Sequence, residues 1–220
     1  MHVDLLFTPL ELQEIYLQNR AIVIIDALRA TSTMSVALQN GADKIITKAG
    51  IEESIATQKE LGANALLCGE RGGLIIPGFD LGNSPFEYTN QTISGKTLIF
   101  CTTNGTKAIA MTQQADMVFL GATVNGQATA KKLAACGKDI TILCAGTENK
   151  VSLEDTLSGG LILTELCAIA PHCQYNDAAL IAMQAYHKNA EELPQLFLQG
   201  KHAQKLIHLK HEKDVLFCAQ

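Results

Sequence analysis

Asp26 and Arg29 stand just beyond an apolar run, Ala21 to Ile25, and are followed by three consecutive hydroxyl residues, Thr31, Ser32 and Thr33. A carboxylate in such a place can hold a divalent cation through hard oxygens, and a guanidinium fork can grip a phosphate with paired donors. The plainer reading of the same residues is an Asp that caps a helix and pairs with Arg29. A second group lies in GERGGLIIPGFDLGNSP, residues 69–85, where Glu70, Arg71, Asp80, Asn83 and Ser84 are set among glycines that let backbone amides approach an anion closely. Thr102, Thr103, Asn104, Gly105 and Thr106 form a third, and Glu148, Glu154 and Asp155 a fourth. The last two acids follow Ser152 in the first turn of a helix, where the helix dipole favours carboxylates, so capping explains them as readily as metal binding does.

These groups need elements to position them. Ala21 to Ile25 is short and mostly β-branched, as in a parallel strand buried on both faces. Asp26 would then stand at the carboxyl end of that strand, where ligands of open α/β sheets bind, with the helix after it running from about Thr31 to a stop at Gly41. The same device recurs at Lys96 to Cys101, which leads through the Thr102 to Thr106 turn into a helix over 107–114. Strands are also expected at 3–7, 44–47, 65–68, 117–120, 140–145 and 214–218, and helices at 10–17, 51–61, 125–135, from Ser152, at 176–190 and at 200–208. Strands alternating with helices point to a layered α/β/α fold with largely parallel sheets and two related halves, divided here as 1–92 and 93–220. Residues 69–85 read as a long loop, and loops of that length inside a domain are usually functional. Gly159 and Gly160 inside a helical pattern signal close packing or a ligand's approach, since each costs about 1 kcal/mol relative to Ala.

The 220 residues are 47% hydrophobic, ample for a sizeable core, and the net charge of −5 argues against a nucleic-acid partner. Apolar runs are broken well short of the roughly 20 residues that span a bilayer, and no signal segment opens the chain, so a cytoplasmic location is expected. The seven cysteines form no CxxC pair and read as small buried hydrophobes, with Cys101 a less favoured nucleophile. His202, His208 and His211 read as a solvated helix face, not a metal box.

Taken in order, IDALRATSTMSVAL (25–38), GERGG (69–73), GFDLGNSPFE (78–87), TTNGT (102–106), AG (145–146), SLEDTLSGG (152–160) and DVLFCAQ (214–220) resemble the Mg²⁺-dependent 2-phosphosulfolactate phosphatases over essentially the whole chain. The resemblance implies a phosphomonoester hydrolase that converts 2-phospho-3-sulfolactate to 3-sulfolactate and phosphate, with a Mg²⁺ cofactor and a homodimeric state. It carries catalytic roles to Asp26, Arg29 and Glu70. Substrate binding falls to Arg71, Asn83, Ser84, Thr102, Thr103, Asn104, Gly105 and Thr106, and metal binding to Asp26, Asp80, Glu154 and Asp155. A non-catalytic anion-binding module and a phosphatase for another small phosphorylated acid are the alternatives. The two strand-to-helix turns are expected to converge on one cleft, with Asp26, Asn83 and Thr103 around a single pocket.

Overall fold

The strand that delivers Asp26 lies inside a sheet and is covered on both faces. In the computed structural model, which describes residues 1–220, all six residues of Arg20–Ile25 are buried. Ala21, Val23 and Ile25 point into one core and Ile22 and Ile24 into another. A period of two with both faces apolar is why the sequence reads as a continuous hydrophobic run. Each of the four Val and Ile side chains contributes roughly 1.5–3 kcal/mol through burial.

The first part of the chain forms β1 (His2–Leu6), β2 (Arg20–Ile25), α1 (Ala30–Gln39), β3 (Lys44–Thr47), α2 (Ile51–Leu61), β4 (Ala65–Arg71), β5 (Leu74–Ile75), α3 (Asn90–Ile93), β6 (Thr97–Cys101) and α4 (Gly105–Ala110). The rest forms β7 (Met117–Gly121), α5 (Gly126–Ala135), β8 (Asp139–Cys144), α6 (Leu153–Ile169), β9 (Gln174–Tyr175), α7 (Asp177–Asn189), α8 (Leu193–Gln199), α9 (Lys201–His208) and α10 (Glu212–Cys218). One sheet has the order β7-β2-β8-β1-β9 with every pairing parallel, and the other has the order β3-β6-β4-β5, antiparallel only at β4–β5. Helices pack on the sheets in a layered α/β/α arrangement. Strands from both sides of residue 92 meet in each: β1 and β2 pair with β7 and β8, and β6 lies between β3 and β4. The sheets therefore do not divide the chain at 92–93.

Three expected elements differ. Residues 10–17 form two short 3-10 turns, Pro9–Glu11 and Glu14–Tyr16, because Leu10 and Ile15 find no core and stay 73% and 70% exposed. Residues 214–218 belong to helix α10, whose buried Asp214, Val215 and Cys218 share one helical face; an apolar run this short has no decisive period of its own. The glycine-rich stretch opens as a hairpin: β4 continues through Glu70 and Arg71, turns at Gly72 and Gly73, and pairs back through β5. Gly160 marks close helix packing, since a Cβ there would lie 2.2 Å from the Ala182 carbonyl oxygen on α7. No helix is long and apolar enough to cross a membrane.

Candidate active site

The ends of β2 and β8 from one sheet and of β4 and β6 from the other meet around a cavity of about 40 Å³. Asp26 follows β2, Glu70 lies one residue before the end of β4, Thr103 and Asn104 follow β6, and Thr147 and Glu148 follow β8. Arg29, Asn83, His202 and Lys205 complete the polar wall. Asp26, Asn83 and Thr103 thus line one pocket, and the two strand-to-helix turns face the same space.

Asp26 is held by a turn that the hydroxyls close. The Asp26 amide donates to Thr31 Oγ1 at 3.0 Å, and that hydroxyl donates to the Asp26 carbonyl at 2.9 Å. Ser32 Oγ donates to the Ala27 carbonyl, and Thr33 Oγ1 donates to the Asn83 carbonyl, tying the Asn83 segment to α1. Hydroxyl residues at a helix start commonly cap it, yet none of the three caps α1 through its side chain. Their buried hydroxyls are instead satisfied by the carbonyls of Asp26, Ala27 and Asn83. The Asp26 carboxylate faces Gly105 so closely that a Cβ there would sit 2.8 Å from Oδ2. Burial, then the charge of Glu70, pushes the Asp26 carboxyl up to about 7, while the amides of Ala30 and Gly105 and the charge of Arg29 pull the other way.

Arg29 is fixed before any ligand arrives. Its Nη1 donates to Asp214 Oδ2 at 2.5 Å and its Nη2 to the Gly73 carbonyl at 2.9 Å. Asp214 also receives Ser84 Oγ at 2.8 Å, with His211 Nδ1 at 3.4 Å. Glu70 clamps the two turns together, its Oε2 accepting from the Gly73 amide and its Oε1 from the Thr103 amide, each at 2.7 Å.

The other expected site residues lie outside the cavity wall. Asp155 accepts the Ala27 and Gly146 amides at 2.8 and 2.9 Å, and burial followed by the charge of Asp26 raises its carboxyl well above the usual range. It supports the backbone beside Asp26. Glu154 accepts from Ser152 Oγ and from the Ala203 amide, tying α6 to α9. Asp80 is exposed and accepts the Leu67 amide. Asp26, Asp80, Glu154 and Asp155 therefore do not converge, and no three His, Cys, Asp or Glu side chains form a metal-binding group. Arg71 donates to the carbonyls of Glu70 and Ala49 and to Cys101 Sγ, and Thr102 and Thr106 bond each other across their turn. Ser84 is spent on Asp214, and Gly105 serves through its amide.

Hard oxygen donors nonetheless collect at the cavity. Besides Asp26 and Glu70, Asn83 Oδ1 and Thr103 Oγ1 are buried with no hydrogen-bond partner. Buried polar atoms are rarely left so, and two of them beside two carboxylates fit a Mg²⁺ ion, which takes one or two carboxylates and fills its shell with water and substrate oxygens. The sequence reading gives Asp214, His202 and Lys205 no role in the site. Asp214 lies inside the DVLFCAQ motif, which marked the segment but gave the residue no role; His202, taken for part of a solvated face, is half-buried at the cavity, with a single histidine and a lysine as the only local signal.

Residues 6–220 match the family model described as 2-phosphosulpholactate phosphatase. The probable 2-phosphosulfolactate phosphatase of Clostridium acetobutylicum is 36% identical over 220 residues, covering 100% of this chain and 93% of that protein. Proteins with the same description from Carboxydothermus hydrogenoformans and Symbiobacterium thermophilum are each 38% identical, covering 100% and 93% of this chain and 89% and 88% of their own lengths. Similarity of this extent shows that the chain belongs to the 2-phosphosulfolactate phosphatase family of phosphoric monoester hydrolases.

Proposed function

We propose that the protein is a Mg²⁺-dependent phosphatase that releases phosphate from a small phosphorylated acid, 2-phospho-3-sulfolactate being the substrate that its relatives' descriptions support. The observation that carries the reading is the meeting of Asp26, Glu70, Arg29 and the unpartnered Asn83 and Thr103 oxygens around one cavity. Asp26, Asn83 and Thr103 would hold the cation, with Glu70 adding its charge. When bound, Mg²⁺ supplies positive charge to the oxygens of the transferring phosphoryl group.

The chain's own residues do the positioning. Arg29 keeps three N–H donors beyond those given to Asp214 and Gly73, enough to meet phosphoryl oxygens without reorganising. Glu70 holds the hairpin and the Thr103 turn at fixed separation, so that both walls meet the substrate together. Phosphoryl transfer depends mainly on such positioning and charge stabilisation. A cytoplasmic location is part of the proposal, supported by seven free cysteines. So is the homodimer the resemblance implies, which sedimentation at micromolar concentration tests.

The decisive experiment is phosphate release from 2-phospho-3-sulfolactate and other small phosphorylated acids, with Mg²⁺ and with EDTA. Release only with the metal is expected. Binding of phosphate esters with no release would leave an anion-binding module instead.

A further inference from the structure

A second cavity, of about 120 Å³, adjoins the first and shares Thr147, Glu148, His202 and Lys205 with it. By the measure in which about 10–15 Å³ admits one water, the first cavity suits a group the size of a phosphoryl and the second has room for a further small polar group. Lys150 and Lys201 also line the second cavity, and none of its three lysines belongs to an ion pair. Of its two acids, Glu154 has both carboxylate oxygens engaged, by Ser152 Oγ and the Ala203 amide, which leaves Glu148 as the single uncommitted negative group. Positive charge is in excess. His202 Nδ1, a ring atom of a residue shared by both cavities, is buried without a partner. A buried polar atom that the protein leaves unmatched is one a ligand can complete.

Lys205 is the only lysine or arginine common to both cavities. Arg29 serves the first alone, while Lys150 and Lys201 serve the second. A substrate with two anions a few bonds apart would place one beside Arg29 and the other among the lysines, with Lys205 between them. We propose that the adjoining cavity is an anion subsite for the carboxylate or sulfonate of the acid that carries the phosphate, and that Lys205 is its specificity-determining residue. The proposal rests on the phosphatase reading and adds to it a place for the part of the substrate that does not react. The position of α9 matters to it directly: Glu154 holds the start of that helix through the Ala203 amide, which sets where His202 and Lys205 stand.

The test uses three substrates with Mg²⁺: p-nitrophenyl phosphate, which has no second anion, 2-phospholactate, which adds a carboxylate, and 2-phospho-3-sulfolactate, which adds a sulfonate as well. Lys205 and Lys201 are exposed, so Lys205→Gln and Lys201→Gln should fold, and circular dichroism checks that they do. For Lys205→Gln the expected result is a fall of at least fivefold in the ratio of kcat/KM for the acids to kcat/KM for p-nitrophenyl phosphate, carried by KM, with Lys205→Arg recovering most of it. A fall for both acids identifies the carboxylate as the group held; a fall for the sulfonate substrate alone identifies the sulfonate. A smaller change in the ratio, or an equal loss of kcat on all three, overturns the subsite. If the wild type releases phosphate from none of them, the phosphatase reading has failed on its own account. Calorimetric titration with phosphate-free 3-sulfolactate then decides the subsite: binding weakened at least fivefold in Lys205→Gln supports it, and no binding or equal binding overturns it.

Discussion

Burial and the Glu70 carboxylate work against ionisation of Asp26, so the bare cavity keeps a proton there until about pH 7. Replacing Asp26 by Asn keeps the shape and removes that conflict. Asp26→Asn should therefore fold as well as the parent yet lose about 100-fold or more in phosphate release, the scale of losing one preorganised electrostatic group. Near-parental turnover at saturating Mg²⁺ would make Asp26 a structural residue. Gly105→Ala attacks the same carboxylate from the other side. Its Cβ would lie 2.7 Å from Ala30 Cβ and 2.8 Å from Asp26 Oδ2, so either α4 or the carboxylate must move. An error of about 1 Å in a reacting group costs roughly 100-fold, so kcat should drop far more than overpacking of about 1–3 kcal/mol lowers stability. Equal activity in the variant would mean that the turn absorbs the methyl without disturbing Asp26. The Arg29–Asp214 pair, with side chains 2% and 5% exposed, makes a third test. Asp214→Ala leaves a buried guanidinium without its partner and should cost about 3–5 kcal/mol in urea unfolding; a cost below about 1 kcal/mol, the scale of an exposed pair, would show that solvent reaches Arg29.

Elements were legible where one period dominated. The β2 run was readable because both of its faces are buried, and Asp26 at its end followed from that placement. The Thr102 to Thr106 turn was readable for the same reason, although only Thr103 and Asn104 of it reach the cavity; Thr102 and Thr106 spend their polar groups on each other. Residues 214–218 misled because a short apolar run fits either period, and packing of Val215 and Cys218 into the main core decided for a helix. What no local pattern revealed was the pairing of Arg29 with Asp214 across 185 positions of sequence. His202 and Lys205 were hidden similarly, since their meaning depends on where Glu154 anchors α9. The acids Asp155 and Glu154 were located correctly at a helix start, but the amides of Ala27 and Ala203 that occupy them come from 128 and 49 positions away. The α6–α7 contact offers a check at this scale. Gly160→Ala places a Cβ 2.2 Å from the Ala182 carbonyl oxygen, a backbone atom that cannot swing aside, so the helices must part and stability should fall by about 1–3 kcal/mol. An unchanged melting temperature would show that α6 and α7 are less closely docked.

For the molecule as a whole, joining two sheets around one cavity brings Asp26 and Asp155 into the interior, and the carboxyl of each is held above its ordinary value, first by burial. Folding then takes up protons between the ordinary carboxylate range, near pH 4, and about pH 7 for Asp26. Stability changes with pH in proportion to the protons bound by the unfolded chain minus those bound by the folded one, so this group's share falls as pH rises through that window and levels off above it. Other titrating groups have their own slopes; Asp139, lowered by the His2 amide, acts in the opposite direction. Subtracting the profile of Asp26→Asn cancels the groups that do not feel the Asp26 charge, Asp139 among them, and leaves Asp26 with the part of the Asp155 shift that Asp26 causes. In EDTA, the melting temperature of the parent relative to that variant should decline from pH 4 to pH 7. A cation that needs the ionised carboxylate competes with the proton, so added Mg²⁺ should raise the parent's melting temperature more at pH 8 than at pH 5, and the variant's little at either. At 100 times the dissociation constant the gain approaches about 2.7 kcal/mol. An equal gain at pH 5 and pH 8, or an equal gain in Asp26→Asn, would place the metal elsewhere and leave the Asp26 proton as a cost of burial alone.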